Sequence, residues 1–133
     1  MVCGGRDENY QLKKQVFGLK LPNFEVTEFP SMVTLNNNLN LVTHESDIVA
    51  VGNNYKLNKK FDEPVLSMEI YSRKNKTWTH QYVEFGGSEH YCVCSFKSNL
   101  YIIGGWLKDN DVYLSDVFTY DITINTCYQK YLI

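Results

Sequence analysis

The chain has 133 residues and a formal net charge of −2, the size of one ordinary domain able to bury a core without staples. Hydrophobic residues make up 44% and charged residues 21%, which excludes a disordered tail. With a pI of about 5.9 there is no basic surplus to grip a phosphate backbone, so no nucleic-acid partner is expected.

The elements read as strands from one end to the other. Val2-Cys3 is a short apolar run ending at Gly4-Gly5, followed by a polar loop from Arg6 to Gln15 and by the aromatic positions Phe17 and Phe24. Leu39 to Thr43, Asp47 to Val51, Val65 to Tyr71 and Trp78 to Phe85 predict four strands of a middle unit, with Asn54 to Pro64 as a variable loop. His90 to Phe96 is rich in β-prone residues, and Ser98-Asn99 suits a tight turn. Leu100 to Ile103 is uninterrupted and apolar, as expected of a strand buried on both faces. Trp106 to Ser115 reads as a loop, Asp116 to Tyr120 alternates, Asp121 to Thr126 is polar enough to turn, and Cys127 to Ile133 is again apolar and aromatic. No segment sustains helical periodicity between caps.

These elements repeat. The first glycines of Gly4-Gly5, Gly52-Asn53 and Gly104-Gly105 lie 48 and then 52 residues apart. Phe17, Tyr71 and Tyr120 follow at spacings of 54 and 49, and Phe24, Trp78 and Cys127 each stand seven residues after their partner in that set. Only the length between the glycines and the aromatic varies, which is where a loop absorbs insertions.

Four-stranded units of this length, with glycines after the second strand and an aromatic pair around the third and fourth, resemble the kelch repeat, whose copies form blades of a β-propeller. The last unit carries the likeness best, in Leu100-Tyr101-Ile102-Ile103-Gly104-Gly105 and Asp116-Val117-Phe118-Thr119-Tyr120-Asp121. Glu69-Ile70-Tyr71 with Trp78 carries it in the middle unit, and Phe29-Pro30-Ser31-Met32 is similar to the linker between blades. The resemblance implies an all-β fold, an incomplete propeller of about two and a half four-stranded antiparallel blades, divided at 1–32 (first strand missing), 33–86 and 87–133. As an open arc, a fragment of a ring or a truncated gene product, it is expected to expose strand edges and inter-blade faces. Gly4, Gly5, Gly52, Gly104 and Gly105 are expected to let the backbone bend at the ring centre. Asn53 stands for a second glycine and tolerates left-handed angles, so the bend is expected to persist there. Tyr71 with Trp78, and Tyr120 with Cys127, are expected to seal blade onto blade, the cysteine burying less than the usual Trp.

Chemistry is sparse. Cys3, Cys92, Cys94 and Cys127 show neither zinc-finger spacing nor a C-x-x-C motif and read as reduced, packed thiols. His90, Cys92 and Cys94 alternate, so on one strand they share a face. A fourth ligand is missing, and a packed strand face is the simpler reading, so no metal is expected. The acidic pairs Asp62-Glu63 and Asp109-x-Asp111 read as solvated loops, the Lys56, Lys59 and Lys60 cluster likewise, and the glycine pairs open no phosphate loop. Neither catalysis nor a cofactor is expected. Asn75-Lys76-Thr77 matches a glycosylation sequon and reads as a polar turn. The N-terminal residues lack the basic and long apolar regions of a signal peptide, and no apolar stretch approaches the roughly 20 residues of a membrane helix. A cytoplasmic protein with no membrane contact is expected, cytoskeleton-associated where actin is the partner.

The resemblance further implies a partner face built from residues just after the glycines. Here those are Arg6, Asn54 and Trp106, with His90 at a place where the family often has an arginine. Arg and Trp are favoured interface anchors; packing of Trp106 against its own blade is the competing reading. Kelch-like proteins commonly act as substrate receptors of cullin-3 ubiquitin ligases or bind actin. The first role runs through a BTB domain that these 133 residues do not contain. The expected function is therefore protein–protein recognition, as the substrate-binding part of such an adaptor. Actin or cytoskeletal binding by a stand-alone kelch protein is the alternative, and propeller enzymology ranks last.

Overall fold

The computed structural model describes residues 1–34, 36–54, 65–83 and 88–132. Strands β1 (Val2–Cys3), β2 (Val16–Lys20) and β3 (Glu25–Phe29) form a first sheet. A second sheet runs β4 (Asn37–His44), β5 (Asp47–Asn54), β6 (Val65–Ser72) and β7 (Thr77–Tyr82), and a third β8 (Cys92–Phe96), β9 (Asn99–Leu107), β10 (Val112–Asp121) and β11 (Thr126–Leu132). All pairings are antiparallel meanders, and the sheets pack face to face in chain order, the all-β arrangement of part of a propeller.

Register confirms the repeat and corrects one of its landmarks. Tyr71 lies opposite Trp78 and Tyr120 opposite Cys127, each pair one step before a four-residue turn. In the first sheet the corresponding pair is Leu19 and Val26, not Phe17 and Phe24. Phe17 lies opposite Glu28, while Phe24 sits in the turn with φ 55°. The spacing of seven is kept, but the pair is displaced by two. Apolar residues at alternate positions fix which face a strand buries, and that parity is blind to a two-residue slip.

Other expectations shift in smaller ways. The turn after β8 is Lys97-Ser98, with Lys97 at φ 54°. β9 alternates rather than burying both faces: Leu100 and Ile102 are buried, whereas Ile103 is 39% exposed because no described element covers that side of the last sheet. Strands β9 and β10 extend past the expected loop, which shrinks to a 3-10 turn at Lys108–Asn110, with a bulge between Leu114 and Val117. The middle loop from residue 55 to 64 and the end of the Trp78 to Phe85 run lie outside the described residues.

Two apolar clusters hold the sheets together. Between the first and second, Val16, Met32, Ala50, Tyr71 and Trp78 are buried, with Cys3, Phe29, Leu39 and Ile48 against them. The Tyr71 ring meets Phe29 edge-on at 5.8 Å and Trp78 at 5.2 Å. Between the second and third, Val49, Val51, Leu66 and Met68 meet Tyr91, Leu100, Ile102 and Tyr120. Such contacts stabilise by roughly 25 cal/mol per Å² of apolar surface buried.

The linker between the first two sheets is fastened by a group that sequence patterning passes over. Glu69 is fully buried on β6. Its carboxylate accepts hydrogen bonds from the Val33 amide at 2.6 Å, the Thr34 amide at 2.9 Å, the Thr34 hydroxyl, and Asn36 Nδ2 at 3.2 Å. The Trp78 indole N–H donates to the Pro30 carbonyl at 2.8 Å. A buried carboxylate is tolerated when donors replace its water in this way.

Candidate functional site

The glycine positions coincide in register, which places Arg6, Asn54 and Trp106 at the same end of three successive sheets. The backbone there differs from sheet to sheet. Gly4, Gly5, Gly104 and Gly105 all have positive φ, up to 123° at Gly105, where an added Cβ would also strike Ser88 Oγ at 2.7 Å. Gly52 does not bend: β5 runs straight through Gly52 and Asn53. What requires glycine there is crowding, since a Cβ would lie 2.9 Å from both Asn36 and Leu39. The expected bend at the middle sheet is thus replaced by a close approach of the linker.

Trp106 is held by its own sheet. Its backbone exchanges two hydrogen bonds with Glu89, at 2.9 and 2.7 Å, and its indole N–H donates to Asp111 Oδ1 at 3.0 Å. The ring stays half-buried, with the His90 ring centroid 6.1 Å away. His90 is exposed and its Nε2 lies 3.9 Å from Glu89 Oε2. The structure therefore unites His90 and Trp106 into one surface of a π-face, a titratable ring and a flanking carboxylate. The indole donor is already used, so Trp106 offers a partner its apolar face.

Arg6 is exposed on a separate loop, bridged to Leu12 and donating from Nη1 to the Tyr10 carbonyl at 2.7 Å. Asp7 organises that loop by accepting from the Asn9 and Gln11 amides, both at 2.9 Å, and by pairing with Lys13 at 2.6 Å. The Lys13 contact, with help from these amides, holds the Asp7 carboxyl below the usual carboxylate range. One N–H of the Arg6 fork is thus committed; a guanidinium carries five. Beside it a cleft of about 220 Å³ opens between Leu12 and the Asn36 to Leu39 segment. Asn54 is only 5% exposed, so Arg6 and Trp106, but not Asn54, present side chains to solvent along this rim.

His90, Cys92 and Cys94 do not lie on one strand. His90 precedes β8 with φ 55°, so the alternation that aligns Cys92 and Cys94 does not extend to it. Among the described residues no group of three or more His, Cys, Asp or Glu is placed to hold a metal ion. Sequence reasoning also missed two members of the rim. Asp111 was legible only as a loop acid, and Glu89 carried no signal, because their roles arise from the β9–β10 hairpin and an isolated bridge.

Residues 89–129 match the family model described as Kelch motif. That stretch contains the His90–Trp106 surface, the Gly104-Gly105 bend and the Tyr120–Cys127 pair, and the match supports a kelch-repeat protein. A kelch motif points to a protein–protein interaction module. No curated protein matches the chain.

Proposed function

We propose that the chain is the substrate-recognition part of a cytoplasmic kelch-like adaptor of a cullin-3 ubiquitin ligase, binding a protein through the rim that carries Trp106, His90 and Arg6. The observation that carries this reading is the half-buried Trp106 ring, braced by Glu89 and Asp111 beside His90 at the glycine end of the last sheet. A braced aromatic loses little freedom on binding, which is the property of an interface anchor. Recruitment of the ligase runs through a BTB domain, so it belongs to the product of the complete transcript.

The test is co-precipitation of cullin-3 with that complete product, with the 133-residue segment as control. Retention by the complete product alone supports the reading. Absence of cullin-3, together with co-sedimentation with actin filaments at about 1 µM, replaces it with the cytoskeletal one. Against whichever protein is captured, Trp106→Ala is expected to weaken binding by about tenfold or more with the circular dichroism spectrum kept. A lost spectrum assigns Trp106 to folding instead.

A further inference from the structure

The register that relates the three sheets also says what each face is built to meet. Call the face bearing the Tyr71–Trp78 pair the front and the opposite face the back. The front of the second sheet (Ala50, Tyr71, Trp78) packs on the back of the first (Cys3, Val16, Phe29). The front of the third (Leu100, Ile102, Tyr120) packs on the back of the second (Val49, Val51, Met68). Each seam thus joins one front to one back, and one of each is left over.

The spare front is the first sheet's, where Val2, Phe17, Leu19 and Val26 lie side by side, with Val26 68% and Leu19 46% exposed. The spare back is the third sheet's, where Tyr101, Ile103 and Val117 are flanked by Phe96 and Tyr128, the last two 62% and 47% exposed. Glu28 shares the first of these faces, and Asn99, Thr119 and Asp121 the second, but the apolar side chains form a contiguous patch on each, more than a face meant for water carries.

We propose that two copies of this chain associate head to tail, the first sheet's front in each copy packing on the last sheet's back in the other. The occupant is a second copy because the spare back is the same kind of surface that the chain's own fronts already bind twice. A head-to-tail contact leaves a front and a back unsatisfied until the ring closes. Two copies bring six sheets together, two of three strands and four of four, inside the range of about four to eight at which such twisted sheets close into a ring; one copy falls below it.

The test uses the 133-residue chain and light scattering after size exclusion at about 50 µM. The expected mass is twice the 15.5 kDa of the monomer. Val26→Asp removes the front and Ile103→Asp the back, so each variant alone is expected to be monomeric. Mixed in equal amounts they are expected to pair through the one intact seam, the front of the Ile103→Asp chain on the back of the Val26→Asp chain. If either aspartate reduces the circular dichroism signal, Leu19→Ser and Phe96→Ser replace them. A monomeric unmutated chain, which assigns the two faces to other sheets, overturns the proposal. So does an assembly larger than two, a dimer that survives either variant alone, or a mixture that stays monomeric.

Discussion

The two seams of this molecule occupy equivalent positions and are held by different physics. In the first, a Tyr–Trp pair packs under a linker fastened by a buried carboxylate. In the second, Cys127 replaces the Trp, and the position equivalent to Glu69 is the apolar Phe118. There the cluster is aliphatic with two tyrosines, and its polar ties run elsewhere: Asn40 Nδ2 to the Tyr91 carbonyl at 3.3 Å, His44 Nδ1 with Ser95 Oγ at 3.1 Å. A repeat thus conserves which faces meet, while the chemistry that secures them changes from seam to seam.

The comparison breaks most sharply at the Trp position. Trp78→Ala removes a buried ring and its bond to Pro30 and is expected to cost about 3–5 kcal/mol. Cys127→Ala, at the equivalent place, is expected to cost about 1 kcal/mol. Urea denaturation of both variants measures the gap; equal losses would mean that the two seams are held alike. Next comes Glu69→Leu, which strands the Val33 and Thr34 amides and is expected to cost roughly 2–3 kcal/mol. No such loss would show the linker to be held by packing alone.

The second seam can also be moved toward the first. Cys127 borders a cleft of about 500 Å³ with Tyr82, Val83 and Tyr120. Cys127→Trp is expected to raise stability by about 1 kcal/mol by covering apolar surface there, read as a higher urea midpoint. A lowered midpoint would mean that the cleft cannot accept the ring.

Alkaline pH sharpens the comparison with the smallest perturbation. Burial pushes the Cys3 thiol, in the first seam, from 9.0 up to about 11. Burial pushes the Tyr120 phenol, in the second, from 10.0 up to about 12, and raises Tyr91 as well. In each case the folded state holds the proton more tightly, so the stabilisation is complete below the unfolded pKa and is lost as pH rises through the folded one. Stability is expected to be level to about pH 9 and to fall from there to about pH 12. Cys3→Ala should remove the part of the decline between about pH 9 and 11 and leave the tyrosine part; an unchanged profile would deny Cys3 a share in it.

Much of this fold was legible in the chain. Short apolar and aromatic runs between polar turns gave the strands, and glycines with aromatic partners at a constant step of seven gave the repeat, because side-chain alternation and turn chemistry are local properties. The slip from Leu19 and Val26 to Phe17 and Phe24 shows the limit of that reading. Parity survives a two-residue shift, and only hydrogen-bonded register distinguishes the alternatives. The candidate rim was legible in part. The positions after the glycines follow from the repeat, but the burial of Asn54 and the bracing of Trp106 by Glu89 and Asp111 depend on neighbouring strands.

The sequence by itself determined an all-β chain, its three repeating units and the end of each sheet at which loops gather, since these follow from periodicity and from residues that permit unusual backbone angles. Tertiary structure alone decided which apolar faces are sealed and which stay open. It also decided that Glu69 becomes a fastening for the linker 35 residues before it and that a Trp is braced half-buried at the rim. Burial and hydrogen bonding between distant segments depend on what the fold brings alongside, and local sequence does not encode that.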